Sequence, residues 1–155
     1  QDLSRVPAIE EKLYTEFNGP RTRTAALCGS LEMELAQMPP DEEQEFRAAL
    51  SGEDKPGLDR MIDLWHEVCK IITFYTGNEN EVHAWTVPTD TTALNAAGKV
   101  HTDFKQGFIR AEVVAYDDLD AFGSVSEARK RGLLRREGKD YFVKEGDVLN
   151  ILFNL

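Results

Sequence analysis

A polar segment at residues 101–107 carries the most chemically mixed group of side chains in the sequence. It contains His101, Asp103, Phe104, Lys105 and Gly107, and Arg110 follows shortly after. An alternating pattern begins at Phe108, so these groups stand at the mouth of a predicted strand, and the glycine is expected to permit a turn. Such a cluster is typical of a recognition surface. The alternative is an ordinary turn, since a single His and Asp are common in loops.

A second candidate is a run of basic residues that could bind phosphate groups. It consists of Arg129, Lys130, Arg131, Arg135, Arg136 and Lys139, and Glu137 is the one acid within it. A local cationic patch can bind phosphate on an acidic chain, because salt screens charges beyond a Debye length of about 8 Å. The alternative interpretation is a solvated helix and hairpin edge.

The residue patterns do not indicate a catalytic site or a metal-binding site. His66 and Glu67 do not complete an HExxH motif because residue 70 is Lys. The acids at 117–120 are expected to be turn and cap residues before a helix at 124–131. No nucleophile stands next to a base, and no carboxylate pair lies in an apolar setting. We therefore predict a binding module with no metal site and no catalytic residue.

A third segment of interest begins after a short β-compatible stretch at residues 21–27. It consists of Cys28, Gly29, Ser30 and Leu31, and a helix is predicted over 31–37. A helix that follows a strand offers unpaired backbone N–H groups at its N-terminus. The alternative is a simple helix start with Ser30 as its cap. Cys28 and Cys69 are the two cysteines; without CxxC spacing, we expect reduced core thiols.

The elements that position these groups fall into two parts, predicted at residues 1–70 and 71–155. In the first part, helices are expected over 6–17 and 41–50, with a breaker at 51–57. A further helix carries an apolar stripe at spacings of three and four, which we expect to be core. The stripe comprises Leu58, Met61, Ile62, Trp65, Val68, Cys69 and Ile72.

From residue 71 the apolar period changes from helical to alternating. Strands are predicted over 71–76 and 82–87 around a turn at 77–80, then a helix over 91–100 and a central strand from Phe108. On that strand Ile109, Ala111, Val113 and Ala115 form the expected buried face. A hairpin turn at 137–140 and a doubly covered last strand at 148–153 complete the pattern. This order predicts an α+β protein with a β-grasp (ubiquitin-like) second part.

Composition indicates a globular chain of ordinary hydrophobicity. Of 155 residues, 41% are hydrophobic and 30% are charged, and the formal net charge is −10. The charge is concentrated in residues 1–68, which makes that part an unlikely nucleic-acid surface. No apolar run approaches the ~20 residues that a membrane helix needs. We expect a cytoplasmic protein that has no membrane partner.

The run HTDFKQGFIRAEVVAYDD closely resembles the core motif of the TGS domain in YchF-type (Obg-like) ATPases, a branch of the P-loop GTPase class. Further ordered matches extend over about a hundred residues. They are Gly57–Ile62, Glu81–Val87, Ala96–Gly98, Glu137–Tyr141, Glu145–Val148 and Phe153–Asn154. His83 stands where the family commonly has Arg, and Asn78–Asn80 replace a small or proline-containing turn, so contacts there differ from the family pattern.

The resemblance implies roles for both candidate segments. Residues 28–31 would be the last nucleotide-contacting loop of a G domain, near the purine base, with Glu32 a weaker candidate. The TGS motif would contact RNA or the ribosome through His101, Asp103, Phe104, Lys105, Gly107, Phe108 and Arg110. The parent protein would hydrolyse ATP (or GTP) with Mg.

The chain departs from an intact family member in the parts that hold phosphate. No GxxxxGK[ST] phosphate loop and no base-reading motif are present in the sequence. We therefore expect the C-terminal part of a longer protein, inactive on its own and without a cofactor. Two functions remain open: binding of RNA or the ribosome without reading DNA sequence, or regulation of its own G domain or docking of a protein, with exposed Phe108 and Tyr116.

Overall fold

The computed structural model describes residues 5–17, 19–51, 55–78 and 81–154. It divides the chain into two compact units, Gln1–Cys69 and Lys70–Leu155. The first unit is helical, and the second is a five-stranded mixed sheet with helices, as the sequence predicted. Parts of the predicted breaker at 51–57 and of the turn at 77–80 lie outside the described residues. No helix in the described part of the chain is long and apolar enough to cross a membrane.

The first unit contains four helices close to the predicted ones. They are α1 (Val6–Glu16), α2 (Gly29–Leu35), α3 (Pro40–Ser51) and α4 (Gly57–Cys69). Pro7 lies in the first turn of α1, where its missing N–H costs nothing. Asp41, Glu42 and Glu43 lie in the first turn of α3, where the helix dipole favours acids. Helix α2 begins two residues earlier than predicted, and α4 ends before Ile72.

Two predictions for the first unit are wrong. Residues 21–27 are irregular, because no described strand of this unit supplies the neighbour that a strand needs for its hydrogen bonds. The α4 stripe is not core: Leu58, Met61, Ile62 and Trp65 are exposed, Leu58 by 71%. In the described part of this unit, Leu35 is the one large apolar side chain that is fully buried. Periodicity identifies an apolar face but not what covers it.

The second unit follows the order of a β-grasp sheet. Its strands are β1 (Ile71–Gly77), β2 (Val82–Pro88), β3 (Phe108–Ala115), β4 (Arg135–Glu137) and β5 (Asp147–Phe153). Its helices are α5 (Ala93–Val100), α6 (Thr102–Gln106), α7 (Tyr116–Phe122) and α8 (Val125–Lys130). The spatial order is β2-β1-β5-β3-β4. The pair β1–β5 is parallel, and the other neighbours are antiparallel. The central strand is therefore β5, and the expectation that β3 is central is wrong.

Helix α5 covers one face of this sheet over a compact apolar core. Phe74, Val113 and Leu149 are buried there together with Ala93 and Ala96 of the helix. The alanines let the helix backbone approach the sheet closely. The predicted turn after β4 is present, with the Tyr141 N–H donating to Gly138 C=O at 3.2 Å. The chain does not return along β4 as in a hairpin, because the Ala93 N–H donates to Tyr141 C=O and the Val143 N–H donates to Thr91 C=O.

A bulge shifts the face of strand β3 at its start. Phe108 pairs with Phe153 and Arg110 with Leu152, so Ile109 is an extra residue. Ile109 is 58% exposed, and Phe108 packs against the core instead. The prediction of a buried face is confirmed for Ala111 and Val113 but wrong for Ile109. Exposure of Phe108, expected for protein docking, is also wrong.

The segment before β3 is a short helix, α6, and not a loop. Gly107 ends it with φ −94°, so its conformation is open to other residues. A Cβ at Gly107 would instead collide with the backbone carbonyl of Asn154, whose N–H donates to Gly107 C=O at 2.9 Å. Close approach of two backbones is the reason for this glycine. The acids at 117–120 likewise lie within helix α7 and not in a turn.

Candidate functional site

The predicted recognition residues at 101–105 come together where α5 passes into α6. His101 separates the two helices, and its Nδ1 accepts a hydrogen bond from the Asp103 N–H at 3.2 Å. The same nitrogen lies 3.6 Å from the Asp103 carboxylate. His101 therefore has a structural role as the N-cap of α6, while its side chain remains 58% exposed.

Three rings form a continuous series at this corner, which we call the aromatic row: His101, Phe104 and Phe153. The ring centroids of His101 and Phe104 are 5.8 Å apart, and those of Phe104 and Phe153 are 4.3 Å apart. Phe153 lies at the end of β5. The sequence did not predict that it belongs to this group of rings, because only the sheet register brings it next to α6. The row connects the predicted recognition segment to the central strand.

The cations of this region do not all share one face. Lys105 donates from Nζ to Asn95 Oδ1 at 3.1 Å and lies against Gly98, on the α5 side of the sheet. Arg110 precedes buried Ala111, so alternation directs it to the opposite face, where it is exposed. The structure thus brings His101, Asp103, Phe104 and Lys105 together and separates Arg110 from them.

The basic run is divided by strand β4. Arg136 pairs with Glu112 in the register, and it lies 3.7 Å from the Glu112 carboxylate. Arg129 of α8 reaches the same carboxylate at 2.9 Å, although Glu112 is buried. Two arginines seven positions apart in sequence therefore share one buried acid on the face opposite α5.

Arg135 lies on the α5 face of the sheet and joins a different polar cluster. Its guanidinium is 3.1 Å from Asp147 and 3.2 Å from the Tyr141 hydroxyl, which donates to Asp147 at 2.8 Å. The Lys144 N–H also donates to Asp147, at 2.9 Å. Burial of the phenol, and its hydrogen bond to Asp147, raise the pKa of Tyr141 to about 12. Arg135 therefore has a structural role, because its guanidinium is bound to the buried Asp147 and to Tyr141.

The remaining members of the run are more exposed. Lys130 and Arg131 pair with Glu127 at 3.2 and 3.6 Å, and the Arg131 guanidinium lies 4.3 Å from the Phe122 ring centre. Lys139 is exposed on the turn after β4. Glu137 is the one acid within the run in sequence, and the fold places three more beside it: Glu112, Glu127 and Asp147. Six cations therefore face four carboxylates.

The Cys28 segment forms the start of α2. Cys28 is the N-cap, so the prediction of Ser30 as cap is wrong; Ser30 lies in the first turn, with its Oγ 3.5 Å from Cys28 Sγ. The hydrogen bond from Ser30, followed by the backbone of Leu31, lowers the pKa of Cys28. Gly29 is exposed, with open space where a Cβ would stand.

Glu32, the weaker nucleotide candidate, has a structural role instead. Its two carboxylate oxygens lie 2.9 and 3.1 Å from the Arg47 guanidinium, and one accepts the Gly57 N–H at 3.0 Å. Arg47 also reaches Glu43 at 2.7 Å. The hydrogen bonds from Arg47 lower the pKa of Glu32. These bonds join α2, α3 and α4. They could not be predicted from sequence because the partners of Glu32 are 15 and 25 positions away.

The candidate nucleotide segment at residues 28–31 has no charged side chain to offer a phosphate or Mg. Glu32 is taken up by Arg47, and residues 28–31 present a thiol, a hydroxyl and an apolar side chain. Among the residues that the structure describes, no group of three or more His, Cys, Asp or Glu could hold a metal ion. Groups for phosphate and Mg would have to come from elsewhere in a longer protein.

The fold defines an α+β protein with a β-grasp unit, and comparison with known proteins gives its family. Residues 71–154 match the family described as YchF-GTPase_C, protein of unknown function (DUF933). The chain belongs to this family of YchF C-terminal regions. The resemblance to YchF-type proteins noted in the sequence is thereby confirmed.

Individual relatives extend the match beyond the sheet. The chain is 42% identical over 129 residues to "Ribosome-binding ATPase YchF" of Escherichia coli O157:H7, covering 83% of this chain and 35% of that protein. It is 39% identical over 137 residues to the protein of the same name from Bacillus subtilis (strain 168), covering 88% and 37%. The chain therefore spans about a third of the length of these curated relatives.

A solved structure agrees with the fold. The Schizosaccharomyces pombe YchF GTPase superposes with a TM-score of 0.69 at 27% identity, covering 96% of this chain and 38% of the other. Both units thus have counterparts in a YchF protein.

Proposed function

We propose that this chain is the C-terminal part of a ribosome-associated YchF-type ATPase. Its β-grasp unit, as a TGS domain, binds RNA or the ribosome and performs no bond chemistry. The whole protein would hydrolyse ATP (or GTP) with Mg in the cytoplasm, and residues 28–31 would border the base. Two relatives that match more than four-fifths of the chain are named ribosome-binding ATPases, which supports this assignment.

The observation that carries the proposal is the excess of exposed cations around α8 and β4. Lys130, Arg131 and Arg136 have mostly exposed side chains, and the pairs that the first two make with Glu127 lie at the surface. Exposed pairs of this kind contribute only about 0–1 kcal/mol, so exchange of a carboxylate for a phosphate costs little. Lys130 and Arg131 can therefore turn to RNA without loss of the fold.

Arg129 and Arg136 are suited to a different kind of contact. Both must remain near Glu112, since removal of either would leave a buried carboxylate poorly compensated. A guanidinium has five N–H donors, and Glu112 does not use all of them. Their remaining N–H groups can donate to phosphate oxygens while the others stay bound to the Glu112 carboxylate. Arg129 and Arg136 would then form a rigid phosphate-binding pair.

Ribosome co-sedimentation tests the proposal directly. The double variant Lys130→Gln/Arg131→Gln should weaken association and reduce its salt dependence by roughly one unit of slope per lost phosphate contact. A matched control is Lys12→Gln/Lys55→Gln, which removes two exposed, surface-paired lysines from the first unit. Unchanged binding and slope in the first variant would end the proposal.

A second function is favoured by the ion pairing within the basic run. Because four carboxylates offset six cations and the chain carries a net charge of −10, the β-grasp unit could instead dock a protein or regulate the G domain. This second function would be supported if added salt did not weaken ribosome association and if the chain did not bind free RNA.

A further inference from the structure

We propose that the aromatic row of His101, Phe104 and Phe153 is a stacking platform for unpaired RNA bases. This inference rests on the proposed RNA-binding function and specifies its mode: the β-grasp unit would select single-stranded over double-stranded RNA. Lys105, which lies beside the rings, would meet the phosphate backbone, and the row would select for bases that are free to stack.

The geometry of the row carries the inference. Contact between Phe104 and Phe153 at 4.3 Å is explained by the packing of α6 on β5. The two outer rings keep surface open to solvent: His101, although its Nδ1 caps α6, is 58% exposed, and Phe153 is 39% exposed. The row therefore offers solvent-facing ring surface at both ends of a rigid inner ring. Rings fixed in this way lose little conformational freedom on binding.

Ring faces bind bases in a way that separates single strands from duplexes. Every base has a π face, so stacking on aromatic side chains tolerates any sequence. In an A-form duplex those faces are already stacked within the helix, and proteins recognise it by shape and backbone contacts. A platform of exposed rings therefore gains contact only from loops, bulges or ends.

Electrostatics near the row suit the backbone of such a strand. Lys105 follows Phe104 directly, and its Nζ is held by Asn95 at 3.1 Å, on the same side of the sheet as the rings. Asp103 is the acid in the segment, and its backbone N–H and carboxylate face the His101 ring nitrogen. The ammonium group can thus meet a phosphate next to a stacked base.

Two conservative substitutions remove ring surface while preserving the local fold. His101→Asn keeps a side-chain oxygen that can accept the Asp103 N–H, so the cap of α6 is retained. Phe153→Leu keeps an apolar side chain against Phe104. Phe142→Leu is the matched control, since Phe142 is an exposed phenylalanine of the same unit outside the row. Circular dichroism and thermal melting confirm that each variant is folded.

Fluorescence anisotropy with the full 155-residue chain compares a short single-stranded oligouridylate with an RNA duplex of equal length. His101→Asn and Phe153→Leu should each weaken single-strand binding about fivefold or more. Duplex binding, the salt slope and the Phe142→Leu control should stay unchanged. The Lys130→Gln/Arg131→Gln variant should instead change the salt slope for both probes.

The outcomes separate the platform from the function on which it rests. Equal single-strand binding by the wild type and both ring variants overturns the platform alone. Wild-type protein that binds neither RNA and does not sediment with ribosomes overturns the proposed function as well. Ring variants that lose ribosome association but keep oligouridylate binding identify a protein partner at the row, which also overturns the platform.

Discussion

The guanidinium of Arg135 lies 3.1 Å from the carboxylate of Asp147, an acid that is only 2% exposed at the start of the central strand. The Tyr141 hydroxyl and the Lys144 N–H complete its hydrogen bonds. Asp147 therefore connects β4, β5 and the segment between them. This buried acid makes part of the basic run a structural feature as well as a candidate RNA surface.

Asp147→Ala should destabilise the β-grasp unit by about 3 kcal/mol, because it leaves Tyr141 and the Lys144 N–H without their acceptor and Arg135 without its partner. Urea unfolding followed by tryptophan fluorescence would measure the loss. Asp120→Ala, at an exposed acid of α7, should change the free energy of unfolding by less than about 0.5 kcal/mol. Equal effects of the two substitutions would contradict the role assigned to Asp147.

Tyr141 should ionise late in an alkaline titration. Its pKa is raised to about 12 by burial and by Asp147, above the ordinary value of 10.0. The folded state thus holds this proton more tightly, so the associated stability is complete below pH 10 and is lost as the pH rises through about 12. Phenolate absorbance should show this late step in the wild type and not in Tyr141→Phe. If Tyr141→Phe left the alkaline titration unaltered, the late step could not be assigned to Tyr141.

Glu32→Gln should loosen the first unit by about 2 kcal/mol, since the amide cannot reproduce the charge that holds Arg47, and partial exposure moderates the effect. The pKa of Glu32 is lowered, so its contribution is present above the ordinary value of 4.5 and is lost as the pH falls through the depressed value. Helical circular dichroism in acid should therefore differ between wild type and Glu32→Gln. Glu34→Gln, at an exposed neighbour, should behave as wild type.

Gly107→Ala should destabilise the β-grasp unit by about 2 kcal/mol, because the added methyl meets the Asn154 carbonyl. The φ of −94° excludes backbone strain as the cause. Gly138→Ala is the control, since nothing lies within 4 Å of a Cβ there. Thermal melting should show a lower midpoint only for Gly107→Ala, and an unchanged midpoint would mean that α6 moves aside without cost.

Most strands could be located from sequence because alternation and turn residues are local signals, whereas the position of β5 rather than β3 at the centre of the sheet could not. The bulge at Ile109 could not, since it depends on how Phe108 and Arg110 pair with a strand some forty positions later. A one-residue shift reverses which side chains face the core. That shift exposed Ile109 and turned the partly buried Phe108 toward the core.

The candidate site shows the same division between local and distant information. The motif at 101–105 was visible as a cluster, because its members are neighbours in sequence. Phe153 joined it, and Glu112 and Asp147 paired with the basic run, only through the sheet. A count of charges along the sequence therefore overstated the cationic character of the run, since it omitted the acids that folding brings beside it.

The two units rely on different forces. In the described part of the first unit one large apolar side chain is fully buried, and the ion pairs Glu32–Arg47 and Glu10–Arg60 join its helices, whereas the sheet of the second unit closes over Phe74 and Leu149. Acid should consequently release the helices at a pH where the sheet still holds, and heating at neutral pH need not melt both together. Partial unfolding of that kind would leave Trp65 and Trp85 as separate reporters, one for each half of the molecule.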